Sequence, residues 1–159
     1  MSAMADRTLT TLLDEIAAQS PAPGGGACAA WGCAMGAGLT EMAATFTLVR
    51  PRYAHVHPRM ESIRLRAREL RARAGQLAET DAEAYAPVLT ALQLPTESPD
   101  RSRKLATALS SAAETPLALA ELAAEVAELA AEVARSGNVH LSGDAQTGAL
   151  LAESTCRAA

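Results

Sequence analysis

Asp81 is the residue whose position most needs a chemical reason. Stepping around it at three- and four-residue intervals gives Leu70, Ala74, Leu77, Asp81, Tyr85 and Val88, so a carboxylate interrupts an apolar helical stripe and faces inward. Two readings stand side by side. The carboxylate accepts hydrogen bonds from a neighbouring helix end or loop, or it serves as an acid, a base or a cation-stabilising group. The second candidate is the loop Ser20, Pro21, Ala22, Pro23, Gly24, Gly25, Gly26. Its prolines and glycines exclude it from a helix. Three glycines leading into a helix present backbone N–H groups at the positive helix end, which suits a carboxylate, a phosphate or the polar edge of a heterocycle. It is neither a Walker loop, since no Gly-Lys-Ser/Thr follows, nor a dinucleotide fingerprint, since no strand precedes it. The competing reading is a tight turn that requires close helix contact.

The third candidate is the segment between Gly137 and Asp144. There His140, flanked by Asn138 and Asp144, can donate, accept or take up a proton near neutral pH, or can serve the structure alone. His55 and His57 sit with Arg50, Arg52 and Arg59 in a short basic linker and are expected to be exposed. Cys28, Cys33 and Cys156 are odd in number, and no Cys or His spacing suits zinc, so they are expected as reduced thiols packed as small hydrophobes, with no metal site.

The elements that must position these groups are helical. The 159 residues contain 38 Ala and 20 Leu against six Val and two Ile, which favours helices over sheet faces and one domain with its own core. Thirteen Arg and one Lys face eighteen carboxylates, and the aromatics are Trp31, Phe46, Tyr53 and Tyr85. That balance argues against a nucleic-acid surface. The N-terminus lacks the pattern of a signal peptide, and reduced thiols point to the cytoplasm.

A first helix is expected from Asp6 to Gln19, with Leu9, Leu12, Leu13 and Ile16 inward. From Ala27 to Val49 the chain is nearly uncharged. Its Ala, Gly, Thr and Met content, with Glu41 inside it, argues for a buried central helix and against a membrane span. The pairs Gly32, Gly36 and Ala34, Gly38 are expected to admit neighbouring backbones. Pro58 opens a third helix to Leu92 that turns Met60, Ile63, Leu70, Leu77, Tyr85 and Leu92 inward and kinks at Pro87. Ser98 caps a fourth helix to Ala113, and Thr115-Pro116 starts a fifth to Arg135, stopped by Gly137. Glu121, Glu125, Glu128 and Glu132 read as a solvated acidic face of the fifth helix, opposite Leu122, Val126, Leu129 and Val133. The arginines from Arg64 to Arg73 likewise read as a solvated face, with local pairs Glu61–Arg64 and Glu69–Arg73. Asp144 caps a sixth helix with Leu150 and Leu151 inward.

Taken in order, these pieces resemble the cyclodeaminase and methenyltetrahydrofolate cyclohydrolase family, the domain that also forms the C-terminal half of formiminotransferase-cyclodeaminase. The resemblance rests on the loop from Ser20 to Gly26 with the small-residue helix after it. Asp81-Ala82-Glu83-Ala84-Tyr85, Thr115-Pro116, Gly137-Asn138 with Asp144, and Ala149-Leu150-Leu151-Ala152 add to it.

The resemblance implies an all-α multi-helix bundle with a small-residue central helix, one domain over residues 1–159, which dimerises and acts on a one-carbon unit held between two folate nitrogens. Water opens the methenyl ring to the 10-formyl compound, or N10 displaces ammonia from a 5-formimino group. Both routes pass through a tetrahedral carbon and use a tetrahydrofolate substrate with no metal or other cofactor. By similarity Asp81 and Asp144 take the carboxylate roles, and Asn138 and His140 orient or transfer protons. Ser20, Pro21, Pro23, Gly24, Gly25 and Gly26 bind substrate, and Tyr53 lines the site. His140, Gly143 and Gln146 stand where the family usually has Asn, Ser and Gly, which keeps open a non-folate amidine or imine substrate, or a non-catalytic helical dimer. The family's usual C-terminal helix is also missing, so the bundle, and with it the site, is expected to be completed by a second copy.

Overall fold

The computed structural model describes residues 3–20 and 22–159. Among them the regular elements are helices: α1 Leu9–Ala17, α2 Gly25–Leu48, α3 His57–Ala84, α4 Ala86–Leu92, α5 Arg101–Ala112, α6 Glu114–Ser136 and α7 Ser142–Ala158. Short 3-10 turns join them at Met4–Asp6, Pro51–Val56 and Val139–Leu141.

The central element is α2, which packs on α3, α6 and α7. Ala27, Ala30, Ala34 and Ala37 of α2 meet Leu70, Ala74 and Ala78 of α3 and Leu119, Leu122, Ala123 and Val126 of α6 in one core. A second core gathers Ala43, Ala44, Met60, Ile63, Val133 and Ala145. Small side chains dominate because the backbones approach closely. At the α2–α7 crossing, a Cβ on Gly36 would lie 2.7 Å from the Gly148 carbonyl oxygen, and one on Gly148 would lie 2.8 Å from the Gly36 oxygen. Gly36 is thus one of the expected contact glycines, whereas a Cβ on Gly32 or Gly38 would make only ordinary contacts. No helix of the described residues is long and apolar enough to cross a membrane.

Several expectations need correction. The glycine loop does enter a helix: Gly24 is the N-cap and Gly25 and Gly26 belong to the first turn of α2. The long third helix divides at Tyr85, and Pro87 starts α4 instead of kinking one rod. Proline lacks the N–H and clashes with the carbonyl four residues back, so a break here is the relaxed solution. Tyr85 and Leu92 consequently lie exposed. Helix α1 starts at Leu9, capped by Thr8, whose hydroxyl accepts the Thr11 N–H. Only Leu12 of its apolar face packs on the core, while Leu9, Leu13 and Ile16 are exposed. Helix α7 starts at Ser142, so Asp144 lies within its first turn and is not the cap. Leu150 is 62% exposed, because Gly148, Ala152 and Thr155 hold the buried face.

The charged faces also differ from a solvated pattern. Arg59 grips Glu132 through two bonds of 2.7 and 2.6 Å, and Arg66 grips Glu125 through bonds of 2.6 and 2.7 Å. These bidentate pairs tie α3 to α6 and hold both carboxyls below their ordinary values, against the opposing effect of burial. Glu69 pairs with Arg66, not Arg73. Glu61 pairs with Arg64 as expected. Glu41, half-buried inside the apolar stretch of α2, is met by Arg68 at 2.8 Å and Arg71 at 3.1 Å. Burial pushes its carboxyl up, but the two arginines together bring it below the ordinary value.

Candidate functional site

The Ser20–Gly26 loop and Asp81 meet. A Cβ placed on Gly26 would lie 2.2 Å from Asp81 Oδ1 and 2.6 Å from Oδ2, so the carboxylate sits directly on the backbone at the start of α2. Glycine is needed at position 26 because this side chain occupies the space, not for a left-handed backbone; no described glycine has positive φ. The positive end of a 24-residue helix favours an anion there. Asp81 nevertheless makes no hydrogen bond or ion pair with any described residue, although it is only partly exposed. Its lone pairs remain free for a ligand.

Around it, Pro23 is buried after a cis Ala22–Pro23 bond. The Ser20 hydroxyl donates to the Ala22 carbonyl at 2.8 Å, so its hydrogen is committed to the loop. Gly25 faces open space, with nothing within 4 Å of its Cβ position. Pro21 lies outside the described residues.

The other expected residues gather at the opposite end of α2. The buried Thr47 hydroxyl donates to the Ala43 carbonyl at 2.8 Å and accepts the Asn138 N–H at 2.9 Å. Asn138 is buried and accepts the His140 N–H on Oδ1 at 3.2 Å, capping the 3-10 turn. The Tyr53 hydroxyl accepts the Val139 N–H at 3.0 Å and a further bond from Arg52. The Val139 N–H, and after it Arg52, hold the phenol below its ordinary value against the effect of burial. Segment 138–140 is thus pinned from two sides and leaves the His140 side chain exposed. Gly137 is obligatory beneath it, since a Cβ there would lie 2.6 Å from the Val133 oxygen. Arg50, Arg52, Asn138 and His140 line a recess of about 200 Å³.

Asp144 lies in the first turn of α7. It lies one turn before Gly148, whose neighbour on α2 is Gly36, and makes no hydrogen bond or ion pair with a described residue. His55 is exposed and His57 partly so, its ring turned to the Arg50 carbonyl at 3.3 Å. Cys33 is buried, and burial first, then Cys156, pushes its thiol up to about 11, so it is an inert packing group. Among the described residues no three His, Cys, Asp or Glu side chains are placed to hold a metal.

Within one subunit the expected site residues therefore fall into two separate groups. Gly26 and Thr47 are 21 residues apart on α2, which separates Asp81 from Asn138 by about 30 Å at the helical rise. The sequence pattern did not single out Thr47, which anchors Asn138. A threonine within an apolar stretch, one turn before a basic linker, was the available signal.

Comparison with known proteins places the chain in a family. Residues 8–159 match the family model described as formiminotransferase-cyclodeaminase. The methenyltetrahydrofolate cyclohydrolase of Methylorubrum extorquens is 33% identical over 158 residues, 97% of this chain and 76% of that protein. The formimidoyltransferase-cyclodeaminase of Rattus norvegicus is 31% identical over 148 residues, 91% of this chain but only 27% of that longer protein. The crystal structure of formiminotetrahydrofolate cyclodeaminase from Thermotoga maritima superposes with a TM-score of 0.88 at 30% identity, covering 97% of this chain and 75% of that one. Both the helical scaffold and the sequence laid over it are shared, and the chain belongs to the formiminotransferase-cyclodeaminase family.

Proposed function

We propose that this protein is a folate one-carbon enzyme that hydrolyses 5,10-methenyltetrahydrofolate to the 10-formyl compound or cyclises 5-formiminotetrahydrofolate with loss of ammonia. The observation that carries the reading is the unpartnered Asp81 carboxylate seated against Gly26 at the head of α2. The methenyl substrate is an amidinium cation, and a fixed carboxylate beside its carbon favours the cation and takes the proton from attacking water. The C–N5 bond of the tetrahedral adduct then breaks as that proton passes to N5, and the adduct's hydroxyl gives up its own proton to water as it becomes the formyl carbonyl. In the cyclising direction N10 attacks the formimino carbon, and the same carboxylate carries a proton to the departing ammonia. Asp144 is the second carboxylate. Asn138, held by Thr47, orients the substrate together with His140, and Tyr53 lines that side.

The two half-sites are joined in a homodimer. Helix α2 is apolar on every side, a pattern that calls for cover all round. Yet Met35, Phe46 and Val49 are exposed along one stripe with Gly38 near its middle. An isologous pair that lays this stripe antiparallel on its twofold mate sets the start of one α2 beside the end of the other. Asp81 and the glycine loop of one copy then face Asn138, His140 and Tyr53 of the second.

The direct test follows the absorbance of methenyltetrahydrofolate, and ammonia release from the formimino compound, with wild type and Asp81→Asn. Turnover that falls at least about 100-fold in the variant supports the assignment. Equal rates, or no turnover of either compound by wild type, refute it.

A further inference from the structure

Gly38 and Gly75 lie inside helices, and the packing of their own subunit does not account for them. A Cβ on Gly38 of α2 would stand 3.5 Å from Arg71, and one on Gly75 of α3 would stand 3.9 Å from the Trp31 ring. Both are ordinary contacts, so no neighbour within the chain demands glycine, although glycine weakens a helix interior. Both residues line one apolar groove of about 550 Å³ between α2 and α3, together with Trp31, Ala34, Met35 and Arg71. Gly38 also borders a second groove of about 490 Å³ farther along the same face, which runs past Met42 to Phe46. Phe46 is the only phenylalanine of the chain, yet it is 47% exposed. This face of α2 thus carries a large apolar knob and, about two turns away, a notch that no described residue fills.

The positions along the face are symmetric. Met35, Gly38, Met42, Phe46 and Val49 follow one another at intervals of three, four, four and three residues, a spacing that reads the same in both directions from Met42. An isologous antiparallel pair requires that symmetry. With the twofold axis at Met42, Gly38 of each copy lies opposite Phe46 of the other and Met35 lies opposite Val49, so knob meets notch at both ends. Glu41, the only charged residue of α2, is already met by Arg68 and Arg71, so a covering helix meets no lone carboxylate. The extent suits a stable pair as well. The 24 residues of α2 span about 36 Å and two adjacent helices about 20 Å, or about 700 Å² per copy, against roughly 800 Å² per partner in a standard interface.

Resting on the shared-site dimer proposed above, we infer that a second copy of this chain covers the α2–α3 face, with Phe46 of each copy seated at Gly38 of the other. This contact sets the register of the pair, and with it the approach of Asp81 in one copy to Asn138 in the other. The missing side chain at Gly38 admits the ring, and Gly75 keeps the floor of the groove open.

The test measures the dimer dissociation constant of the full chain by sedimentation over a dilution series, for wild type, Phe46→Ala, Gly38→Phe and the double variant carrying both changes. Positions 38 and 46 are about 12 Å apart along one helix axis, too far to touch within a subunit, so a coupling between them reports a contact between copies. Phe46→Ala removes both knobs and Gly38→Phe blocks both notches. Each weakens the dimer at least about 100-fold, as loss of two buried aromatic anchors does. The double variant sets a ring opposite a small residue again and binds at least about tenfold more tightly than either single variant. Unchanged helical circular dichroism excludes misfolding, and recovery in the double variant excludes it independently. A monomeric wild type overturns the shared site and this contact together, and leaves the groove to a different partner. A dimer that Phe46→Ala leaves intact, or a double variant no tighter than the single ones, overturns the contact alone. A wild-type dimer that follows the expected pattern but turns over neither folate compound supports the contact and refutes only the folate reading.

Discussion

Replacing Gly26 by alanine is the smallest change that reaches the proposed centre, because the new methyl carbon would stand 2.2 Å from Asp81 Oδ1. Real contacts of this kind are not closer than 3.0 Å. The carboxylate must therefore withdraw by about 1 Å, and a misplacement of that size lowers a rate by about 100-fold where the group must be aligned. The cost to the fold is smaller. Crowding of a packed site costs about 1–3 kcal/mol, and replacing a helical glycine returns about 0.5–1 kcal/mol. The net change is about 1 kcal/mol, or about 3 °C in melting temperature for a chain of this size. Gly25→Ala is the control for stability alone. Its methyl group meets nothing within 4 Å, so only the helical gain of about 0.5–1 kcal/mol applies. Loss of methenyl absorbance measures kcat, and thermal melts followed by circular dichroism measure stability. A Gly26→Ala protein that keeps kcat within about twofold of wild type would show that the position of Asp81 does not matter to the chemistry.

Other expectations concern the scaffold. Gly148→Ala forces a methyl group to 2.8 Å from the Gly36 carbonyl, which costs about 2 kcal/mol and lowers the melting temperature by about 6 °C; an unchanged melt would mean that the α2–α7 crossing is slack. Glu41, Glu125 and Glu132 have folded-state pKa values below the ordinary carboxyl value of 4.5. Their stabilisation is complete above that value and is lost as pH falls through the lowered folded values. Melting temperature should thus hold steady from pH 7 to pH 5 and drop below about pH 4.5. Glu41→Gln should cost about 1 kcal/mol at neutral pH, after allowing for screening at the half-exposed Arg68 and Arg71, and should blunt the acid drop.

Much of this architecture was legible because helices announce themselves by periodicity and by proline at their first turns. Met60, Ile63 and Leu70 of α3, and Leu122, Val126 and Val133 of α6, are buried as their spacing requires. Asp81 stood out for the same reason, as a break in a stripe. Its seat on Gly26 was not legible, since the contact joins residues 55 positions apart across two antiparallel helices. Local pattern also misjudged surfaces that depend on neighbours. Leu9, Leu13 and Leu150 have apolar spacing but no described partner to bury them. The α3–α6 seam left a usable trace: Arg59 and Arg66 are seven residues apart, as are Glu125 and Glu132, and two antiparallel helices with matching seven-residue intervals can align both pairs. What sequence order hides most completely is the distance between the residues expected to form the site. Nothing in the spacing of Asp81, Asn138 and His140 reveals that one helix length lies between them within a single subunit.

That division yields the sharpest test of the account. Asp81→Asn and Asn138→Ala chains, each inactive alone, are unfolded together, refolded as an equal mixture and assayed for methenyltetrahydrofolate hydrolysis. If the site takes Asp81 from one copy and Asn138 from the other, half of the dimers are mixed and each mixed dimer regains one intact site. Activity should then return to about a quarter of the wild-type value. A mixture no more active than either variant alone would contradict a site shared between two copies.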